Sequence, residues 1–167
     1  YDISTRTGLA SRVGPTGAVT TTDGLPNPAT AGTAFAFDFD PMMDAIRVLA
    51  SDGDNFLIDP NTGFTAANQT AISTALGLSG TTYTNNAPNV TATTQYSIGS
   101  TADALYITPN PANGVANLVG ALGGGDFGAL NGFDIPAGVN VTTSGNAVTT
   151  GSGFAAITVS GQSRFYS

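Results

Sequence analysis

Between positions 38 and 59 the chain sets out six carboxylates: Asp38, Asp40, Asp44, Asp52, Asp54 and Asp59. Carboxylates so close together supply hard oxygen ligands of the kind Ca²⁺ accepts, and that ion tolerates irregular geometry at turns. Their spacing does not match a twelve-residue helix-loop-helix site. Asp is also the common residue of turns and caps, so solvated turn carboxylates are the competing reading of the same six. Asp38 and Asp40, two residues apart, share one face of a strand, as an acid and base pair in a glycosidase would. Such pairs sit beside aromatic sugar platforms, whereas this chain has no Trp and its neighbouring Phe residues read as core. No catalytic residue is assigned. Arg47 lies on the next strand, where a pairing with Asp38 or Asp44 across the hairpin is favoured over an anion site.

The residues that are missing narrow the chemistry further. The 167 residues include no Lys, Glu, His, Cys or Trp. Usual Zn, Fe and Cu sites therefore lose their preferred ligands, and the Ser-His, Cys-His and Cys-x-x-Cys mechanisms lose essential members. Lysine Schiff-base chemistry and Gly-Lys-Ser/Thr phosphate loops are excluded in the same way. Gly123–Gly125 is followed by Asp126 with no basic residue nearby, so it reads as a connector and not a phosphate cradle. Eleven Asp against four Arg give a net charge of -7, which repels nucleic acid. No stretch approaches the roughly 20 apolar residues that span a bilayer as a helix. The chain starts at Tyr1 and no charged, then apolar, leader precedes it, so the expectation is a removed leader or part of a longer product. The small hydroxyl and amide residues that dominate suit an extracellular or cell-surface protein. The sequons at Asn68, Asn89 and Asn140 are no more than chance supplies, given 13 Asn and 37 Ser plus Thr.

The elements that must position these groups announce themselves as a repeated phrase. Tyr1-Asp-Ile-Ser-Thr-Arg-Thr-Gly8, Leu57-Ile-Asp-Pro-Asn-Thr-Gly63 and Tyr106-Ile-Thr-Pro-Asn-Pro-Ala-Asn-Gly114 each lead an apolar, β-favouring pair into a polar turn closed by glycine. A second β-favouring run leaves each turn, as in a hairpin. A hairpin cannot bury its own face, so its recurrence predicts neighbouring copies stacked on a shared core. Phe35, Phe37 and Phe39 alternate with smaller residues and are expected to place three rings on the core face of a strand. Ala45–Ala50, Phe56–Ile58 and Phe64–Ala66 follow as strands, and four strands in about 33 residues is the size of one propeller blade.

A second set of four is expected at 81–84, 94–98, 104–108 and 115–119, after a short helix carrying Ala71, Ile72, Ala75 and Leu76. Phe133-Asp134 echoes Phe37-Asp38 and marks a third first strand. Short strands are expected at 139–143, 147–150, 154–159 and 164–166. The prediction is one all-β domain over residues 1–167, built of repeated antiparallel hairpins or four-stranded, propeller-like blades, with a β-sandwich as the alternative. Residues 14–34 read as a long surface loop, and residues 136–167 as C-terminal strands available for assembly. Arg164-Phe-Tyr-Ser167 looks like the strand before the repeated turn, stopping short of it, while Tyr1–Ser4 is such a strand with its turn. Tyr1, Ile3, Arg164, Phe165 and Tyr166 are accordingly the candidate self-association residues.

Phe37-Asp-Phe-Asp-Pro-x-x-Asp44-x-Ile-Arg-Val48, continued by Ser51-Asp and by Asn55-Phe-x-Ile-Asp-Pro-Asn-Thr-Gly63, resembles a bacterial, mostly exported family catalogued as a domain of unknown function. Its pattern is roughly FDFNPxxDRLRVVSDTGQNLRxNPDTG. Tyr83-Thr-Asn-Asn86, Thr94-x-Tyr-x-Ile98, Asn110-Pro-x-Asn-Gly114, Val119-Gly-Ala-Leu122 and Gly132-Phe-Asp-Ile135 look like its later segments in the same order. The resemblance runs from Tyr1 to about Ile135, and the tail from Pro136 looks like an addition. Asp40 stands where the family usually has Asn and Ala45 where it has Arg, and Leu57 precedes Ile58 where Leu-Arg is usual. These departures remove basic groups and weigh against anion binding. The resemblance implies export and a propeller-like repeat, and no known activity.

Together these readings favour a secreted or cell-surface structural protein, not an enzyme, whose partners are copies of itself in a filament or surface layer. No cofactor is required, apart from calcium if the Asp-rich turns bind it. The alternative is an extracellular binding module for calcium or a glycan.

Overall fold

The computed structural model describes residues 1–21 and 34–167. Among the described residues, three antiparallel sheets and one small hairpin make up an all-β fold. β1 (Asp2–Ile3) and β2 (Ala10–Ser11) form the hairpin. The first sheet is β3 (Phe35–Asp40), β4 (Ala45–Ala50), β5 (Asn55–Ile58) and β6 (Thr65–Asn68), in that order. The second sheet repeats the meander with β7 (Leu78–Tyr83), β8 (Gln95–Gly99), β9 (Ala104–Thr108) and β10 (Asn117–Ala121). The third contains β11 (Phe127–Asp134), β12 (Phe154–Val159) and β13 (Gln162–Tyr166). The first strands stand side by side, β3 packed along β7 and β7 along β11, as the hairpin repeat predicts.

The repeated phrase is the outer turn of each unit. Gly8, Gly63 and Gly114 sit at φ 71°, 71° and 65°, a left-handed conformation that a side chain disfavours. In the first two copies the glycine N–H donates to the carbonyl four residues back, Gly8 to Ser4 and Gly63 to Asp59, each at 2.8 Å. In the third, Asn110 caps a single 3-10 turn over Pro111–Asn113 before Gly114. Gly63 has a second duty, because a Cβ there would lie 2.4 Å from the Val13 carbonyl oxygen. This approach lays residues 13–21 along β6, where Thr65 Oγ1 accepts from Thr20 N–H at 2.7 Å and donates back to its carbonyl. Of the predicted loop 14–34, residues 22–33 lie outside the described residues.

The alternation in β3 has the expected period, but its faces are the reverse of the prediction. Ala36 and Asp40 are buried, while Phe35, Phe37 and Phe39 remain 39%, 70% and 51% exposed. The small and polar face turns toward β7, and the rings face the other way. Ala36 joins Leu49, Ile72, Leu78, Ala104 and Tyr106 in a cluster between the first two sheets. Ile98, Phe127, Ala155, Ile157 and Val159 form another between the second and third, with Phe133 packed against it.

The short helix reduces to a 3-10 turn at Thr74–Leu76, because Ile72 is drawn into the first cluster and its N–H is bound to the Gly53 carbonyl. The strands expected at 139–143 and 147–150 are loop. Their β-favouring residues serve a different end, since Val139 and Val141 are buried and clamp Asn85 of the β7–β8 connection. Val141 N–H donates to Asn85 Oδ1 at 2.8 Å, and Asn85 Nδ2 donates to the Val141 carbonyl at 2.9 Å.

Candidate functional site

The six Asp residues are spread over separate local tasks. Asp40 Oδ1 accepts the N–H groups of Met42 and Met43 at 3.0 and 3.2 Å and so closes the β3–β4 turn. Asp44 ends that turn at φ 48°. Asp52 accepts from Asp54 N–H in the β4–β5 turn, and Asp59 accepts from Asn61 N–H at 2.8 Å in the repeated turn. The Asn61 N–H and the Thr62 hydroxyl together hold the Asp59 carboxyl below its ordinary value. Among the described residues no three acidic side chains converge as metal ligands would. The carboxylates of Asp40, Asp52 and Asp59 thus satisfy backbone donors at turns.

Asp38 is the exception, since it reaches across to the next sheet. Its Oδ2 accepts from Tyr83 N–H on β7 at 2.9 Å, and its Oδ1 accepts from Phe39 N–H at 2.8 Å. Partial burial raises its carboxyl above the ordinary value, against the pull of those two N–H donors and of the Thr82 hydroxyl; Asp134 nearby adds to the rise. The next unit repeats the contact with a different side chain: Thr82 Oγ1 on β7 accepts from Ile135 N–H at 3.1 Å. Asp134 occupies the corresponding place on β11 and is exposed.

Arg47 does not pair with Asp38 or Asp44. Asp38 is its register partner on β3, but the guanidinium turns inward and is 2% exposed. Nε donates to Tyr83 Oη at 3.0 Å, and Nη1 donates to Asn55 Oδ1 at 2.8 Å and to Gln69 Oε1. Asn55 is fully buried in turn, with Nδ2 donating to the carbonyls of Thr70 and Pro111 at 2.9 and 2.8 Å. Burial pushes the Tyr83 phenol up from its usual value, with Arg47 opposing and Asp40 reinforcing the rise. Asp40, Tyr83 and Arg47 thus form a buried chain in which a neutral hydroxyl stands between two opposite charges.

This chain lines a cavity of about 410 Å³ between the first and second sheets, in the size range of small-molecule sites. Met42 and Met43 from the β3–β4 turn, Asn110 from the β9–β10 turn and Ser144 from the β11–β12 connection complete its mouth. Gln95 also lines it, and Gln95 Oε1 is buried with no hydrogen-bond partner among the described residues. Of this group the sequence singled out Arg47 and Asp40 for their chemistry, and Tyr83 and Asn110 only as parts of the family-like segments. Tyr83, Gln69 and Gln95 fall on strands or strand ends far from Arg47 along the chain, where no local spacing marks them.

The self-association candidates lie at the two ends of the row of sheets. Tyr1 and Ile3 are exposed on the β1–β2 hairpin, and Phe165 is 73% exposed on β13. Arg164 is exposed beside it, whereas Tyr166 is half-buried against the second cluster. Phe165 stacks on Phe154 with ring centroids 5.8 Å apart. At the other end, Phe35 and Phe37 line a broad hollow with Ile46, Val48, Phe56 and Tyr1.

Among the described residues no helix is long and apolar enough to cross a membrane. No curated protein and no solved structure matches the chain. The segment from Pro136 onward, where the resemblance stopped, supplies two of the three strands of the third sheet. A family model described as a domain of unknown function, DUF4394, matches residues 1–167, that segment included, and the chain belongs to this family.

Proposed function

We propose that this is a structural protein, secreted or held at the cell surface, that associates with copies of itself by continuing its own row of sheets. The carrying observation is that the two ends of the row complement each other. Phe37-Asp38 and Phe133-Asp134 are equivalent pairs on first strands. Phe133 packs against Ile98 and Tyr96 of the sheet in front of it, whereas Phe37 is exposed. Asp38 accepts an N–H from the sheet behind it, whereas Asp134 is exposed. Docking the third sheet of one copy on the first sheet of another buries Phe35, Phe37 and Phe39 against Phe154 and Phe165. Burying one such ring contributes about 1.5–3 kcal/mol, so several together make a substantial contact.

The edge of β13 offers a second element. Ser160 and Gly161, at φ 51° and 76°, form a two-residue type I′ turn, which fixes Val159 and Gln162 as a hydrogen-bonded pair. By alternation the backbone groups of Ser163 and Phe165 then point away from β12, where a fourth strand stands in the other two sheets.

Light scattering and sedimentation over a concentration series test the proposal. The unmodified protein forms assemblies larger than a monomer, and Phe37→Asp, at a position too exposed to unfold the sheet, returns them to monomers. A protein that stays monomeric throughout, or a variant that assembles as before, overturns the reading.

A further inference from the structure

We propose that the cavity between the first and second sheets is a binding site for a neutral, hydroxyl-rich small molecule, a single saccharide unit or a similar polyol. The argument starts from Arg47. A guanidinium removed from water costs several kcal/mol unless its donors and its charge are both answered. Here the three acceptors that hold it, on Tyr83, Asn55 and Gln69, are all uncharged, and they engage Nε and Nη1 while Nη2 takes no part in these bonds. The balancing charge is Asp40, beyond the Tyr83 hydroxyl.

Among the described residues, the charged side chains lining the cavity are one of each sign, Asp40 and Arg47. Their sum of zero, inside a chain of net charge -7, favours a ligand without net charge over an anion. Around the pair stand the amides of Gln69, Gln95 and Asn110, groups that donate and accept in one plane as vicinal hydroxyls require. Gln95 adds a buried carbonyl oxygen with no partner among the described residues, a standing cost that a donor hydroxyl would remove. The wall also carries apolar groups, Met42, Met43, Pro109 and Pro111, which suit the C–H face of a sugar ring. The wall residues come from both sheets and from the β11–β12 connection, so the site exists only when the units are stacked.

Met43 is 59% exposed at the mouth, and Ala112 is exposed on the β9–β10 turn beside it. Either position takes a bulky side chain without disturbing the buried chain behind it. Saturation-transfer NMR with D-glucose, N-acetyl-D-glucosamine, glycerol and D-glucuronate, each with the full chain, provides the test. At least one of the neutral sugars receives saturation and raises the melting temperature in proportion to its concentration. Met43→Trp and Ala112→Trp, which retain the melting temperature of the unliganded protein, abolish the transfer, and Arg47→Gln weakens it about tenfold or more. Should Arg47→Gln fail to fold, the two mouth variants decide alone. Binding of glucuronate alone, transfer to none of the neutral sugars, or transfer that survives both Trp substitutions overturns the assignment. The residues differ from those of the self-association surface, so either proposal can fail without the other.

Discussion

The two seams of this molecule use one contact built from different chemistry. Between the first and second sheets the side chain that crosses to the neighbouring backbone is the Asp38 carboxylate; between the second and third it is the Thr82 hydroxyl. The surroundings differ in the same sense. The first seam joins its apolar cluster to a buried polar chain of Asp40, Tyr83, Arg47 and Asn55, whereas the second is packed with Ile98, Phe127, Ile157 and Val159. One repeat geometry therefore accepts either a charged, networked interface or a largely apolar one. The costly version coincides with the cavity. The second seam holds with apolar packing and neutral polar contacts, among them Ile135 N–H to Thr82 and Asn131 to Ser79, so stacking two sheets does not require a buried charged network.

The comparison breaks most visibly at Arg47. Replacing it with Met keeps the volume but strands the Tyr83, Asn55 and Gln69 acceptors in the interior. Removal of one member of a buried charged network costs about 3–5 kcal/mol, more than any single polar contact at the second seam can supply. Urea unfolding of Arg47→Met against the unmodified chain measures it. A loss below about 1 kcal/mol, the worth of an ordinary hydrogen bond, would show that the network is not the structural centre of the first seam.

The second seam breaks in a milder way. Thr82→Val preserves shape and removes the acceptor for Ile135 N–H, a group buried beside Val139. The expected loss is about 1–3 kcal/mol, the cost of an unpaired buried donor, and the same urea measurement reads it. Combined with Arg47→Met, the losses should add, because the two side chains share no hydrogen-bond partner. A marked departure from additivity would mean that β7 carries strain from one seam to the other.

What the sequence disclosed follows from how local each feature is. The three repeated turns were readable because a glycine at positive φ leaves a mark within eight residues, and Gly8, Gly63 and Gly114 all adopt it. The period of β3 was equally plain, but not which face is buried. Apolar size pointed to the rings, whereas close approach to β7 selects the small side chains of the other face. At Val139 and Val141, β-favouring residues were enough to suggest strands, and the clamp on Asn85 that they serve lies more than fifty residues away. The cavity was the least legible. Arg47 was read against its nearest carboxylates, while its actual partners include Tyr83, which only the stacking of two sheets brings within reach.

The finest test of the two seams is their response to pH. Asp38 holds its proton more tightly folded than unfolded, because partial burial outweighs the N–H bonds from Tyr83 and Phe39. From the ordinary carboxyl value of 3.8 upward, the unfolded chain has released a proton that the folded chain still keeps. The contribution of Asp38 to stability is therefore present in acid and is lost as pH rises through its folded value. Thr82 does not titrate, but its hydroxyl favours the ionised form of the Asp38 carboxyl and so takes part in the same titration. Asp38→Asn keeps a carbonyl oxygen for Tyr83 N–H and removes the ionisation. The difference in melting temperature between Asp38→Asn and the unmodified chain should move in the variant's favour between pH 4 and pH 7, while that of Thr82→Val moves against the variant, because the lost hydroxyl no longer favours the ionised Asp38. If both differences stay level, solvent reaches the carboxylate well enough to leave its titration unchanged by folding, and the two crossings are electrostatically alike despite their different side chains.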